Sequence, residues 1–381
     1  MQKIKNLIIY LSNLPFFYLM YFIKPKKNLW VFGAWMGEKY FDNPKYLFEY
    51  IQSNHKNIKV IWITKEKKIC DGDIFIYKYS LKGFYCALFG EIFLVTHSTN
   101  SDIYNFINNR TRKTVQLWHG IPIKKIGLDD SFSKKDSNIK NKIFPFLNHS
   151  YSLVISSSET DRVNMRSAFN IENTQVTGYP RNDILLKHNN KQDQYKILYA
   201  PTLRDNINDE VNLFDDYNFN IETIVQLLEK YDLYLDIKMH PANVIDINFK
   251  ASMNNKRINF LESKIEINEI INNYSILISD YSGIYVDYLL LDKPIIFTPF
   301  DYEKYITKDR ELYYGYDEVT PGPKCKDWNE VLVWIEKFKN DSKLYASERK
   351  IVKDKFHKYI DGKNCERVYN EILSMRNIFE N

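Results

Sequence analysis

The chain has 381 residues and a hydrophobic fraction of 44%, with 53 basic against 48 acidic residues. This length is more than one hydrophobic core usually holds and predicts two α/β domains. A net charge of +5 is too small to indicate nucleic-acid binding, particularly since the chain lacks a basic strand with interleaved aromatic residues. The four cysteines are scattered without a Cys-x-x-Cys pair, which argues against a disulfide framework and a zinc site and favours a reducing cytosol.

The first segment, Leu7 to Ile23, is apolar and aromatic, with lysines before and after it. It approaches the ~20 residues of a membrane-spanning helix, but Ser12, Asn13 and Pro15 interrupt its middle. We therefore predict that residues 1–27 form a membrane-associating segment that lies in the headgroup layer of an anionic membrane. Two alternatives stay open. One is a helix buried against the fold, and the other, weaker because no small-residue cleavage site follows, is a signal peptide.

From residue 28 the chain alternates between short apolar strands and helices, a pattern typical of an open and mostly parallel sheet. We predict an N-terminal Rossmann-like domain over residues 28–186, with a helix near Pro44 to Asn54. The polar run Leu185 to Tyr195 is interpreted as a linker. The predicted strands are Leu29 to Phe32, Lys59 to Ile63, Ile74 to Tyr77, Ile92 to Thr96, Thr114 to Trp118, Leu153 to Ser156 and Gln175 to Thr177.

Residues 195–381 repeat the alternation and form the predicted C-terminal Rossmann-like domain, which ends in helices. Its predicted strands are Lys196 to Tyr199, Tyr234 to Lys238, Ile258 to Phe260, Ile276 to Ile278 and Ile295 to Thr298. Helices are expected around Asn220 to Tyr231, over Ile284 to Leu291 and over Cys365 to Arg376. Two such sheets, facing each other across a cleft, would gather the turns that follow their strands.

The polar turn Ser279 to Gly283 separates a strand from a helix. Ser282 is predicted to cap this helix, whose free N–H groups and positive dipole end suit a phosphate. Asp280 gives the turn a carboxylate, and Asp287 is either a second polar contact or a solvated residue. Because every parallel sheet needs such turns, a ligand turn and an ordinary loop are about equally supported by the pattern alone.

Other polar residues follow the ends of predicted strands. His119 precedes a glycine and can act as a general base toward a hydroxyl acceptor, although a histidine that only closes a strand is the commoner case. His240, between a methionine and a proline, could steady a phosphate oxygen. Arg204 offers a fork for phosphate, with a salt bridge to Asp205 as the alternative.

Two further charged residues, Arg181 and Asp183, stand in the turn Gly178 to Asp183 and are expected to lock it by local pairing rather than to touch substrate. The chain has no G-x-G-x-x-G after its first strand, no Walker loop, no G-x-S-x-G elbow and no H-E-x-x-H motif. A cation that bridges phosphates would need a D-x-D pair at a strand end, whereas the carboxylates Asp205 and Asp280 stand on different turns. We therefore expect no cofactor and no metal site.

Seven motifs occur in one order along the chain: GAWMGEKYFDNPKYLFEYI (33–51), LWHGIPIKKIG (117–127), GYPRND (178–183), YAPTLRD (199–205), KMHP (238–241), SDYSGIYVDYLLLDKPIIF (279–297) and PGP (321–323). As a set they resemble the CDP-glycerol glycerophosphotransferase family, which comprises polymerases and primases of teichoic acid and related capsule backbones. The resemblance runs from about Trp30 to the PGP turn.

This resemblance implies a GT-B arrangement of two Rossmann-like domains. It also implies transfer of a polyol phosphate from a CDP-activated donor to a hydroxyl of a membrane-linked glycan or polyol-phosphate chain, with release of CMP. Glycerol phosphate is the expected unit and ribitol phosphate the alternative. The expected place is the cytoplasmic face of a bacterial cell membrane.

The resemblance also implies roles for residues. His119 matches the acceptor base, and His240, Arg204 and the turn from Asp280 match residues around the donor pyrophosphate. The complete candidate set is catalytic His119 and His240; donor-binding Arg204, Asp280, Tyr281, Ser282, Gly283 and Asp287; and acceptor-side or turn-supporting Gly120, Lys124, Arg181 and Asp183.

Four positions depart from the family pattern: Ile121, Leu203, Lys238 and Gly283. These departures do not change the expected reaction class, but they do not decide which polyol is transferred. Two other functions also stay open. One is a GT-B glycosyltransferase that uses a nucleotide sugar, and the other is a membrane-docked, non-catalytic glycan-binding or scaffold protein.

Overall fold

The computed structural model describes residues 2–132, 138–148, 150–187, 194–204, 212–239, 255–262 and 264–378. The chain divides into two compact units. The first comprises Met1–His119, Ser133–Asp183 and Asp361–Asn381, and the second comprises Gly120–Phe132 and Ile184–Ile360. The units therefore interleave along the chain, whereas the sequence pattern predicts consecutive domains with boundaries at residues 27, 186 and 195.

A seven-stranded sheet forms the centre of the first unit, and all its neighbouring strands are parallel. The strands are β1 (Leu29–Phe32), β2 (Lys59–Thr64), β3 (Phe75–Tyr77), β4 (Ile92–Val95), β5 (Lys113–Gln116), β6 (Leu153–Ser156) and β7 (Thr174–Val176). Their order is β3-β2-β1-β4-β5-β6-β7. Strands β1, β4 and β6 are buried along their whole length, as expected for apolar strands covered on both faces. The predicted strands agree with these bounds to within two residues.

Helices connect the strands of the first unit, and serine side chains cap several of them. Ser80, Ser98 and Ser158 each accept a hydrogen bond from the backbone N–H three residues later, which satisfies a donor that the helix leaves open. The α-helices are Gln2–Leu19, Asp42–Asn54, Leu81–Phe89, Thr99–Asp102, Asn138–Ile143, Glu159–Phe169 and Asn364–Ile378, and the 3₁₀ turns are Trp35–Gly37, Lys67–Ile69, Asn105–Ile107, Pro145–Leu147 and Pro180–Asn182.

The N-terminal segment forms the helix Gln2–Leu19, which continues through Pro15. One side of this segment packs on the first unit, where Phe17 and Met20 are buried. The amide of Asn109 donates to the carbonyl of Phe17 at 2.8 Å. Among the described residues, no helix is long and apolar enough to cross a membrane.

A five-stranded parallel sheet forms the centre of the second unit. Its strands are β8 (Tyr195–Tyr199), β9 (Leu233–Ile237), β10 (Ile258–Phe260), β11 (Ile276–Ser279) and β12 (Ile295–Phe297), in the order β10-β9-β8-β11-β12. Its core includes Trp328, whose ring lies 4.9 Å from that of Tyr199 on β8.

The α-helices of the second unit are Ile221–Lys230, Ile267–Ile270, Ile284–Tyr288, Tyr302–Lys308, Tyr316–Val319, Trp328–Asn340 and Ala346–Phe356, and its 3₁₀ turns are Gly127–Asp129, Asp215–Tyr217, Ile271–Asn273 and Leu289–Leu291. A further helix, Asp183–Lys187, lies at the change from the first unit to the second and occupies the start of the predicted linker. Residues 188–193 of that linker lie outside the described part of the chain.

The helix predicted over Ile284 to Leu291 is an α-helix, Ile284–Tyr288, followed by a 3₁₀ turn. The prediction that Ser282 caps it is wrong, because Gly283 occupies the N-cap position and no side chain caps the helix there. Ser282 Oγ only reaches the N–H of Ile284 at 3.5 Å. A Cβ on Gly283 would lie 2.9 Å from the carbonyl oxygen of Ile121, so this close backbone approach requires a glycine.

Each sheet has one place where the chain reverses its direction of winding. In the first sheet this switch lies between β1 and β4, and in the second between β8 and β11. In parallel α/β sheets, ligands bind outside the carboxyl ends of the strands at such a switch. The residues that follow β1 and β4, and those that follow β8 and β11, are therefore the first places to look for a site.

Candidate functional site

His119 follows β5 at the carboxyl edge of the first sheet. The backbone turns sharply here, with φ of 50° at Trp118 and 127° at Gly120. The value at Gly120 is one that glycine adopts without steric cost, which explains the glycine after the histidine. The His119 side chain is half-buried in this turn.

Aromatic rings surround His119. Its ring stacks on that of His97, which follows β4, with centroids 4.7 Å apart and planes 16° apart. The rings of Trp118 and Trp35 lie 4.1 Å and 6.0 Å away. The proposed base is therefore held against three rings beside the switch between β1 and β4.

The backbone around His119 is held by Asn43 and Arg181. The Asn43 amide donates to the carbonyls of Leu117 and Trp118 at 2.9 and 3.0 Å, and its oxygen accepts from the Arg181 N–H at 3.1 Å. The guanidinium of Arg181 donates to the His119 carbonyl at 2.6 Å. All these bonds join parts of the first unit, so Arg181 acts on His119 through its backbone.

Arg181 and Asp183 each bond to other parts of the first unit. Arg181 forms a buried ion pair of 3.0 Å with Asp42, which also accepts from the Trp35 indole N–H at 3.2 Å. The carboxylate of Asp183 accepts the N–H groups of Asn364 and Cys365 at 2.9 Å each, at the start of the helix Asn364–Ile378. The turn that carries both residues is thus tied to two different helices.

Arg204 follows β8 in the second unit and is 3% exposed. Its Nε and Nη2 donate to Asp301 at 3.0 and 2.8 Å, and its Nη1 donates to Asp280 and to the Thr202 carbonyl. Burial opposes its charge, but Asp280 and Asp301 outweigh that effect and raise the pKa of Arg204 above its usual value. The fork predicted for a phosphate is therefore engaged by two carboxylates in this structure.

Asp280 connects the ends of β8 and β11. Besides Arg204, it accepts the N–H of Thr202 at 2.9 Å and that of Tyr281 at 2.6 Å. The Tyr281 hydroxyl donates to Asp301 at 3.0 Å, and its ring stacks on Tyr305 with centroids 4.0 Å apart. Burial, followed by these carboxylates, raises the pKa of Tyr281. The predicted donor turn is thus built on a buried ionic network that includes Arg204.

The remaining candidates lie around this network or elsewhere in the second unit. Ser282 and Gly283 follow Tyr281 and are half-buried, whereas Asp287 is 1% exposed on the helix Ile284–Tyr288. Gly120 and Lys124 belong to the second unit, where Lys124 forms an antiparallel bridge with Leu312. His240 lies outside the described residues. Among those that are described, no cluster of three or more histidine, cysteine, aspartate or glutamate residues could hold a metal ion.

Four residues of these networks were missed by sequence reasoning: Asp42, Asn43, His97 and Asp301. His97 could have been predicted, because it follows β4 just as His119 follows β5, and ligands bind at the carboxyl ends of parallel strands. Asp42 and Asn43 were noticed only as letters of a motif. Asp301 had no local signal, since it lies 97 residues after its partner Arg204.

Comparisons with known proteins agree on one family. The family described as CDP-Glycerol:Poly(glycerophosphate) glycerophosphotransferase matches residues 16–374. A teichoic acid glycerol-phosphate transferase of Staphylococcus aureus is 29% identical over 92% of this chain and 94% of its own length. A teichoic acid poly(glycerol phosphate) polymerase of Bacillus spizizenii is 27% identical over 98% of each. The solved structure of the wall teichoic acid polymerase TagF has a TM-score of 0.78 at 22% identity and covers 100% of this chain and 97% of that one, which shows a common fold.

Proposed function

Because the chain belongs to the CDP-glycerol:poly(glycerophosphate) glycerophosphotransferase family, we propose that it transfers a polyol phosphate from a CDP-activated donor to a hydroxyl group and releases CMP. The acceptor is a membrane-linked glycan or a polyol-phosphate chain in teichoic acid, capsule or other surface polysaccharide synthesis. Glycerol phosphate is the preferred unit, and ribitol phosphate is second. The observation that supports this proposal is the family match over residues 16–374. We also propose that the two parallel-sheet units belong to the GT-B fold class.

In this reaction the acceptor oxygen forms a bond to the phosphorus that bears the polyol, and the bond from that phosphorus to the oxygen of CMP breaks. The acceptor loses its hydroxyl proton, and CMP leaves as the anion. Such a step depends more on positioning and charge neutralisation than on covalent help from the protein.

His119 is the proposed base for the hydroxyl proton. Histidine side chains titrate near neutral pH and suit this work. The proposal is supported by the position of His119 at the carboxyl edge of the sheet, by its half-buried ring and by the backbone bonds from Arg181 and Asn43. A base held in this way needs little reorganisation when an acceptor binds.

The turn Asp280 to Gly283 is the proposed contact for the donor phosphates. Its support is the buried network in which Arg204 joins Asp280 and Asp301. We assign Arg204 to holding this turn, because its donors already bond carboxylates and a backbone carbonyl. His240 keeps its proposed role beside the donor phosphates.

A membrane contact at the cytoplasmic face of a bacterial cell membrane completes the proposal. The helix Gln2–Leu19 leaves a row of apolar residues exposed, with Ile4 66%, Ile8 62% and Leu11 53% exposed at helical spacing. Exposed Lys24, Lys26 and Lys27 follow the segment. An apolar stripe beside lysines is typical of helices that lie on an anionic membrane surface.

The membrane contact is tested by replacing Ile4, Ile8 and Leu11 with serine. Point variants are preferable to deletion, because deletion would also remove buried Phe17 and Met20. We expect the triple variant to stay folded and to lose sedimentation with phosphatidylglycerol vesicles. The matched control replaces three exposed residues of the second unit, Val333, Ile351 and Ile360, with serine and should still bind. Equal binding by both triple variants would refute the contact.

The reaction is tested by nucleotide release. The protein is incubated with CDP-glycerol, CDP-ribitol and a panel of nucleotide sugars, with a lipid-linked glycan extract as acceptor, and the released nucleotides are separated. We expect CMP from one CDP-polyol, dependent on acceptor. A nucleoside diphosphate released from a sugar donor would instead identify a glycosyltransferase, and no release from any donor would favour a non-catalytic protein.

A further inference from the structure

His97 lies against the proposed base without having been assigned a role. It lies two residues after the end of β4, and its side chain is 23% exposed. Its ring plane is within 16° of that of His119, and the indole of Trp35 packs on the edge of the pair at 5.2 Å from His97. Two imidazoles in this arrangement share one local environment, so a change of charge on one is felt by the other.

Buried Asp102 anchors His97. Its carboxylate accepts the backbone N–H groups of Met36, Thr96 and His97 at 2.8, 2.9 and 2.8 Å. Burial raises the pKa of Asp102, and the charge of His97 and these N–H donors counteract the rise. Because these backbone N–H groups all donate to it, the ionised carboxylate fits this site and favours a proton on a nearby ring.

His97 Nδ1 faces two oxygen atoms. The Thr96 hydroxyl lies 2.9 Å from Nδ1 and 3.3 Å from a carboxylate oxygen of Asp102, and it accepts the Trp35 backbone N–H at 3.1 Å. His97 Nδ1 is 3.8 Å from Asp102, a distance at which the carboxylate stabilises the charged ring.

We propose that His97 is a positioning residue for the transfer reaction, which orients the ring of His119 by stacking and takes up the first proton of the pair. This inference rests on the proposed function, in which His119 accepts the hydroxyl proton. With the first proton on His97, a second proton on His119 is disfavoured by charge repulsion. His119 therefore stays neutral, and able to act as a base, at a lower pH than it would alone.

Other charged or titratable groups of the first unit lie around the pair. They are Lys78, which donates to the Ser101 carbonyl at 3.1 Å; Tyr151, which donates to the His97 carbonyl at 3.3 Å; Arg181, on the His119 carbonyl; Asp42, on the Trp35 indole; and Lys39, 4.9 Å from the centre of the Trp35 ring. Of these groups and Asp102, only Asp102 lies within 4 Å of an imidazole nitrogen of His97 as a salt-bridge partner.

Two variants separate orientation from charge. His97→Phe keeps a ring to stack on but cannot take up a proton, and His97→Ala removes both. We expect His97→Phe to move the acidic limb of the pH profile of kcat/KM for CMP release to higher pH by about 0.5–1 unit. His97→Ala should show the same shift and also lower kcat by about 10- to 100-fold, because the base loses its orientation.

His55→Phe is the matched control, because His55 stacks on Tyr369 at 3.7 Å in the same unit but has no part in this edge of the sheet. It should leave the pH profile unchanged. A second measurement needs no substrate: the titration of the His119 ring by NMR, which should move to higher pH in His97→Phe.

The outcomes distinguish this inference from the proposed function. An identical His119 titration in wild type and His97→Phe would overturn the inference, whether or not CMP is released. An unchanged acidic limb in His97→Phe would do the same. A shifted titration in a wild-type protein that releases no CMP from any donor would support the coupling of the rings and refute the function alone.

Discussion

The carboxyl edges of the two sheets hold their polar groups in opposite ways. In the first unit His119 is half-buried among aromatic rings, and its backbone is tied by an amide and a guanidinium. In the second unit Arg204 forms ion pairs with both Asp280 and Asp301, in a network whose members are at most 5% exposed. The network of the second unit joins the ends of β8 and β11, which flank the winding switch of that sheet, whereas His119 follows β5, one strand from the switch of the first sheet.

This difference follows from what each group has to do. A residue that exchanges protons must exist in two charge states at similar free energy, so partial exposure to solvent suits it. A buried charge that only holds a turn must be compensated, because desolvation costs several kcal/mol per ion. The first edge is therefore expected to react to pH and ring replacement, and the second to loss of charge balance.

The largest effect is expected at the proton-transfer group. His119→Ala should keep donor binding and lower turnover by about 10²–10⁴-fold, the usual contribution of a general base. CMP release and calorimetric binding of CDP-glycerol measure the two quantities separately. Turnover near that of the wild type would remove His119 from the role of base.

The second effect tests the ionic network. Arg204→Met should lower the free energy of unfolding by about 3–5 kcal/mol, because it leaves Asp280 and Asp301 buried without their cation. Chemical denaturation, followed by tryptophan fluorescence, measures the change.

The control for Arg204→Met is Arg257→Met. This variant removes a solvent-screened ion pair with Asp232 and should change the free energy of unfolding by less than about 1 kcal/mol. Adding Asp280→Asn and Asp301→Asn to Arg204→Met should recover much of the loss, since the uncompensated charges are gone. A triple variant no more stable than Arg204→Met would contradict the charge-balance explanation.

The third effect tests the hydrogen bonds that hold the backbone next to His119. Asn43→Ala removes the two bonds to the carbonyls before His119 and the acceptor of the Arg181 N–H, so we expect a loss of about 1–3 kcal/mol in unfolding free energy and a lower kcat. Asn54→Ala, at the exposed end of the same helix, is the control and should have little effect on either. Equal kcat in both variants would show that the backbone tie does not serve catalysis.

The smallest effect is expected from Asp161, a buried carboxyl group of the first unit. Asp161 is buried and bonds only neutral donors, the Ser157 N–H at 2.8 Å and the Tyr179 hydroxyl at 2.9 Å, and burial raises its pKa to about 7. The folded-state pKa lies above the unfolded value, so the stability gained by the bound proton is lost as pH rises through 7.

The free energy of unfolding should therefore fall by roughly 2 kcal/mol between pH 5 and 8, and Asp161→Asn should flatten this part of the curve. Thermal unfolding across that pH range checks it. A wild-type curve as flat as that of Asp161→Asn would mean that the carboxyl is ionised throughout.

Much of this protein could be predicted from its sequence. Apolar runs bounded by polar turns located all twelve described strands, because a strand buried on both faces needs an uninterrupted apolar segment. The family predicted from seven ordered motifs is confirmed by the match over residues 16–374. Strand ends also pointed to His119, Arg204 and Asp280, since in a parallel sheet these ends share one edge.

Only the tertiary structure decided which groups meet. For Arg204 the sequence suggested a salt bridge to its neighbour Asp205, which lies outside the described residues. The structure joins Arg204 to Asp280 and Asp301, which lie 76 and 97 residues away. In the same way, the strand order places β4 beside β5 and brings His97 onto His119. The local sequence pattern predicts which segments are buried and where the chain turns. Side-chain contacts between distant segments depend on strand order and on the path of the chain between the strands, and a short stretch of sequence does not determine either.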